Sequence, residues 1–249
     1  MSKGTGLGDN FYVAGVDVSG DVNSLSRIGG GLAPIDMTDI TQSAYERQGG
    51  LRDGAIAWSS YFDPDVAHPL LSALPVTDVH VMYCRGTTLG NHGAALVAKQ
   101  VGYDPARPGD GSLLFGVQAL ANRYGLEWGR QLTAGKRTDT GATAGTGVDL
   151  GTGSTTHGLQ AYLQVFSMTG TDATVKIQES SDNGSGDAWA DVTGGAFTEL
   201  AAGPAVERIA TATDLTVERY LRAVTTTSAG FTSLVFALLV VRNDTEVTF

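Results

Sequence analysis

The chain has 249 residues, of which 34 are glycine and 17% are charged, and its formal net charge is −10 from 26 acidic and 16 basic side chains. That length suits one large all-β unit or two ordinary domains, and the glycine-rich, charge-poor balance excludes a helical bundle, which needs more Lys, Glu and Leu. The acidic balance argues against a protein that grips nucleic acid, because phosphate binding rests on clustered Lys and Arg, but it allows one that nucleic acid slides past.

Met1 to Asn10 lacks the apolar stretch of a signal peptide. The longest apolar run, Leu234 to Val241, has the length of a buried strand and falls short of a membrane span. The single cysteine, Cys84, leaves no intramolecular disulfide. A soluble protein made in a reducing compartment is expected. Gly4-Thr-Gly6-Leu-Gly8 mimics a dinucleotide loop, but no strand precedes it and the spacing is wrong, so it reads as a flexible tail.

Phe11 to Val18 alternates at the strand period and ends in the turn Ser19-Gly20-Asp21. Val22 to Ile28 reads as a returning strand broken by Gly29-Gly30-Gly31. Ile35 to Arg52 is polar and has no sustained period, so an arm between strands is placed at 36–53; so long a loop usually carries a function. Ala55 to Phe62 is a strand, and Val66 to Leu74 is the one helix, with Asp65 as N-cap, Pro69 in its first turn and Pro75 ending it.

Strands follow over Asp78 to Arg85, Ala94 to Tyr103, Ser112 to Ala121 and Gly125 to Thr133. Ala134 to His157 is almost wholly Gly, Ala, Thr, Asp and Ser and reads as a linker or extended surface arm. Next, Leu159, Ala161, Leu163 and Val165 alternate with Gln160, Tyr162, Gln164 and Phe166, and Ala173, Val175 and Ile177 alternate with Thr174, Lys176 and Gln178. Thr169-Gly170-Thr171-Asp172 joins the two runs with turn chemistry, which predicts an antiparallel hairpin. Ala205 to Ala212, Asp214 to Thr225 and Gly230 to Val241 are strand-like, the last apolar enough for a central strand covered on both faces. The expected architecture is all-β with one short helix: a β-sandwich or barrel domain over 1–133, the linker over 134–157, and a C-terminal β-sandwich over 158–249.

Nothing in this pattern points to catalysis or a cofactor. The histidines His68, His80, His92 and His157 show no metal-ligand spacing, and Cys84 lies in a strand pattern rather than at a helix N-terminus. Ser180-x-Asp182-x-Gly184, followed by Trp189, departs from a calcium loop and is similar to the Asp-box turn, in which Ser and Asp bond the turn backbone above a packed aromatic. The extra residues before Trp189 depart from that pattern. Trp58, Trp128 and Trp189 all sit in or beside strand patterns and are expected in cores. Tyr45, Glu46, Arg47, Leu51, Arg52 and Asp53 place an aromatic and an apolar anchor among charges of both signs, the composition of a protein–protein contact.

YVAGVDVSGDVNSL, DITQSAYERQGGLRDG, AHPLLSALP, VMYCRGTTLGN, LTAGKRTDTGAT and the VKIQESSDNG…W turn, in this order over most of the chain, resemble the major tail (tail tube) proteins of long-tailed bacteriophages, particularly those of actinobacteria. The resemblance implies a β-rich tube domain, rings of six copies stacked into a hollow conduit for DNA ejection, and an arm between strands that bridges neighbouring rings. It also implies no catalytic residue, assembly in the cytoplasm of the infected bacterium, and residence in the virion tail. Its expected partners are further copies of itself, a tape measure protein and tail terminator or distal tail proteins, with double-stranded DNA passing through the lumen unbound and no membrane engaged. An acidic lining suits that passage, since it repels phosphates within roughly 8 Å at physiological salt. Two other classes share the acidic, β-rich, non-catalytic pattern: a capsid decoration protein, and a carbohydrate-binding or adhesin module presenting aromatics.

Overall fold

The computed structural model describes residues 5–151 and 153–247. Gly4 of the N-terminal glycine pattern and Thr152 of the expected linker lie outside the described residues, as do Met1 to Lys3. The fold is all-β and antiparallel, with one short helix among the described residues.

β1 (Asn10–Val13) and β2 (Val16–Asp17) form a tight hairpin around Ala14 and Gly15, at φ 50° and 79°. The single strand expected over Phe11 to Val18 is therefore folded back on itself. β3 (Val22–Asp36) and β4 (Arg47–Tyr61) pair along almost their whole length, so Gly29-Gly30-Gly31 does not end a strand and the loop proper is only residues 37–46. α1 (Ala67–Ser72) follows. Val66, not Asp65, occupies its N-cap without a side-chain bond, because Asp63 takes the free amides of Asp65 and Val66 at 2.7 and 3.1 Å.

β5 (Val79–Cys84), β6 (His92–Ala106), β7 (Leu114–Ala121) and β8 (Glu127–Gln131) match the predicted runs within a few residues. The expected linker instead contains β9 (Arg137–Asp139), β10 (Thr143–Ala144) and β11 (Val148–Asp149). Then come β12 (Leu159–Thr169), β13 (Ala173–Ser180), β14 (Ala190–Ala196), β15 (Ala205–Ala210), β16 (Tyr220–Thr227) and β17 (Ser233–Arg242).

The chain forms two compact units, which divide it differently from the expected boundaries at 133 and 158. The first draws on Met1–Gly20, His80–Ala95 and Trp128–Phe249. Within it, one sheet runs β15-β12-β17-β8-β6-β5-β1-β2, with β9 also on β17, and a second runs β10-β16-β13-β14, with β11 on β16. Leu159, Ala161, Leu163 and Val165 of β12 and Leu234, Phe236, Leu238 and Val240 of β17 meet Val175 and Ile177 of β13 and Leu221 and Ala223 of β16 in the core between the sheets. The inward residues come at every second position, as the pleat requires.

β12 and β13 belong to different sheets, so the predicted hairpin does not form: β12 pairs with β15 and β17, and β13 with β14 and β16. The period identified both strands and their inward faces, but period does not identify a pairing partner. Gln160, Tyr162 and Gln164, on the other face of β12, are buried as well. The segment expected as a linker is fastened by Arg137, whose guanidinium bonds Asp139 at 2.6 and 2.8 Å and the carbonyl of Ala223 at 3.1 Å, while Thr225 donates to Asp139 at 2.6 Å.

The second unit comprises Asp21–Val79 and Leu96–Glu127. Its strands run β3-β4-β7-β6, where β6 contributes its C-terminal part. Ile56, Trp58, Phe115, Val117 and Ala119 are buried there, as is Leu71 of α1. Gln100 donates to the Leu71 carbonyl at 2.7 Å, and Tyr103 stacks on Phe115 with ring centroids 4.4 Å apart.

Candidate functional site

The β3–β4 hairpin is anchored at its base and open beyond it. Ala55, Ile56 and Trp58 of β4 are buried, whereas residues 30–49 and 51–53 are exposed on both faces. Glycines make the base possible. A Cβ on Gly54 would lie 2.6 Å from the Leu126 amide nitrogen, and one on Gly30 would lie 2.9 Å from the Leu126 Cβ, so only glycine lets Leu126 press against the ribbon there. The paired ribbon runs on from Gly30–Gly54 to Asp36–Arg47. At about 3.3 Å per residue it extends about 20 Å past its base.

Short polar bonds hold the tip in shape. Asp36 accepts from the Thr38 amide and hydroxyl at 3.0 and 2.6 Å, and Asp39 accepts from those of Thr41 at 2.8 and 2.6 Å. The same bonds hold both carboxyls below the ordinary aspartate value. Across the loop, the Thr38 hydroxyl accepts from the Glu46 amide at 2.9 Å, Met37 donates to the Glu46 carbonyl at 2.9 Å, and the Gln42 amide bonds the Glu46 carboxylate. The Arg47 guanidinium lies 4.5 Å from the centre of the Tyr45 ring.

Tyr45, Glu46 and Arg47 thus sit together at the tip, with Tyr45 71% exposed. Leu51, Arg52 and Asp53 lie further down β4, where Arg52 pairs with Leu32 and Asp53 with Gly31, so the six predicted residues form two groups rather than one. Leu51 is 86% exposed. The β3 side adds Leu32, Ile35, Met37 and Ile40, all exposed, which the sequence reading did not single out. Their signal was the spacing of Ile35 and Met37, a strand period inside a polar run. These apolar side chains are carried outward on the ribbon and stay exposed among the described residues.

The second predicted constellation is a turn in the sandwich. Ser180 Oγ accepts from the Gly184 amide at 2.8 Å and donates to the Asp187 carbonyl at 2.8 Å. Asp182 gathers the amides of Ser185, Gly186 and Asp187 at 2.9, 2.5 and 3.1 Å, and burial, which opposes ionisation, is outweighed by these bonds, so its carboxyl lies below the usual range. Gly184, at φ 80°, would put a Cβ 2.5 Å from Trp189 Nε1. The Arg222 guanidinium covers Trp189 at 4.3 Å. The Ser180 hydroxyl and the Asp182 carboxylate are thus turned onto the turn's own backbone, a structural arrangement.

Trp58 is buried and Trp189 half-buried, but Trp128 is 52% exposed, which corrects its expected place in a core. The buried side chains of β8 are Glu127 and Gln131, two and four positions apart from Gly129 and each other, so Trp128 falls on the opposite, open face. Burial pushes the Cys84 thiol up to about 12, with Asp9 and Asp17 adding to the effect, so it stays protonated. Among the described residues no cluster of His, Cys, Asp and Glu could hold a metal ion, and no helix is long and apolar enough to cross a membrane. No protein-family model matches the chain, and no curated protein matches its sequence.

Proposed function

We propose that the protein is a structural virion subunit, the major tail tube protein of a long-tailed bacteriophage, with no enzymatic role. Its copies close into rings, six to a ring in the expected form, that stack into the conduit for DNA ejection. The observation that carries this reading is the β3–β4 arm: a paired ribbon whose Leu32, Ile35, Met37, Ile40, Tyr45 and Leu51 stay exposed among the described residues. A head-to-tail contact through such an arm is heterologous; it closes around a ring and stays open along an axis, which generates a filament of defined bore. The net charge of −10 supports a conduit that DNA passes without sticking. A tape measure protein and tail terminator or distal tail proteins complete the set of partners, and the place of action is the virion tail after assembly in the bacterial cytoplasm.

Negative-stain microscopy of the concentrated protein tests the reading. Rings or hollow tubes are expected, and only compact monomers would sink it. Because Asp36 and Arg47 pair directly, residues 37–46 can be replaced by an Asn-Gly turn without disturbing the register. That variant is expected to keep its far-UV spectrum and Tm but to form no stacked tubes; tubes of normal length from it would refute the role of the arm.

A further inference from the structure

The open face that bears Trp128 also gathers the basic side chains of three neighbouring strand segments. Trp128 and Arg130 share one face of β8, Tyr83 and Arg85 share one face at the end of β5, and the Arg85 amide donates to the His92 carbonyl at 3.0 Å, which sets Arg85 beside the start of β6. The Tyr83 and Trp128 rings meet edge to face with centroids 6.5 Å apart. Arg130 and Arg85 both act on His92: burial first, then these two cations, hold its ring below the ordinary histidine value, so at neutral pH the ring is uncharged and the patch carries its charge on two guanidinium groups.

Neither guanidinium has an acidic partner among the described residues. Arg130 donates to the Gly90 carbonyl at 3.1 Å, and Arg85 makes no ion pair. Asp9, which lies nearby, is taken up by the Tyr83 hydroxyl at 2.5 Å and the Gly86 amide at 3.0 Å. In a chain of net charge −10, two unpaired arginines beside a half-exposed tryptophan form a site for something both acidic and apolar.

The chain carries an element of that chemistry. Residues 36–47 hold three acids (Asp36, Asp39, Glu46) against one base (Arg47), a net −2, and present Met37, Ile40 and Tyr45 on the same loop. We propose that the Tyr83, Arg85, Trp128 and Arg130 patch is the receptor for the arm tip of a second copy of this chain, with Asp39 and Glu46 meeting the arginines and Tyr45 or Ile40 packing on Trp128. The inference rests on the arm being a contact element and adds where it lands. Opposite charges flanking a desolvated aromatic anchor give both register and affinity, and the charged part of such a contact is screened by salt.

A charge-swap series tests it. Arg85→Glu with Arg130→Glu is expected to weaken self-association, measured by sedimentation velocity, by about tenfold or more, and Asp39→Lys with Glu46→Lys to do the same. The chain carrying all four substitutions restores the complementarity and is expected to regain most of the lost association, an outcome that general misfolding cannot produce. A photo-crosslinker placed at Tyr45 is expected to join peptides containing Trp128 or Arg130 of another copy. If replacing residues 37–46 stops assembly while the arginine reversals leave it unchanged, the arm contact stands and this receptor is wrong. If the arginine reversals leave assembly unchanged but abolish retention of duplex DNA at low salt, the patch serves nucleic acid and the inference is overturned. If the replacement of 37–46 itself leaves assembly intact, the arm reading beneath it fails.

Discussion

Glu179 closes β13 beside the Ser180–Trp189 turn and accepts the Glu218 amide at 2.9 Å. Burial, together with the nearby Glu218 and Asp187 charges, pushes its carboxyl above the usual glutamate range. A raised folded-state pKa favours the protonated form, so the stability this group supplies is present at low pH and is lost as pH rises through that pKa. At pH 7 the ionised carboxylate is a cost. Glu179→Gln keeps an acceptor for the Glu218 amide and removes the charge, so Tm is expected to rise at pH 7 and to change little at pH 4. Equal effects at both pH values would show that packing, not charge, dominates the position. The opposite design holds at Arg137 and Asp139, a pair whose side chains are 16% and 3% exposed. Removing the cation strands a buried carboxylate, so Arg137→Met is expected to cost about 3–5 kcal/mol in urea unfolding.

At the scale of elements, strand existence was legible and strand partnership was not. β4 from Ala55 onward, β5, β7 and β17 follow alternating or continuously apolar runs because each buries at least one face, and burial is what writes a period into sequence. The distal half of the arm buries neither face, so its strands carry Gly-Gly and Asp-Gly pairs that sequence reading takes for turns. The glycines at its base answer to Leu126, 72 residues beyond Gly54 (126 − 54), which no local pattern reveals. Residues 134–157 misled for a related reason: their small polar side chains suit a linker, yet Arg137 and Asp139 hold the segment through contacts with β16. The exposure of Tyr45 and Arg47 was legible from composition, as an aromatic among mixed charges. The patch around Trp128 was not, because it is assembled across strands.

For the molecule as a whole, acid is the expected weak point. Lys99 bonds Asp78 and holds its carboxyl below the aspartate norm; at Asp17 burial opposes ionisation, but Lys136 and Ser19 outweigh it, and Asp191 is held down by Lys176 and Gln178. Depressed carboxyl pKa values contribute stability above the unfolded value of about 3.9 that is lost as pH falls through the folded values. Thermal stability is therefore expected to hold from pH 7 to about pH 5 and to fall steeply below about pH 4. A midpoint that stays level down to pH 3 would show that these pairs contribute little. One feature of the sandwich bears on how the protein is made. β17 lies between β12 on one side and β8 with β9 on the other, and its Leu234, Phe236, Leu238 and Val240 fill the core, so strands drawn from residues 130–169 await a partner that begins at Ser233. Closing such distant pairs is slow, and until the ribosome has delivered β17 those edges stay open to other chains. The sandwich is thus unable to close until β17 arrives, which places the decision between folding and aggregation at that strand.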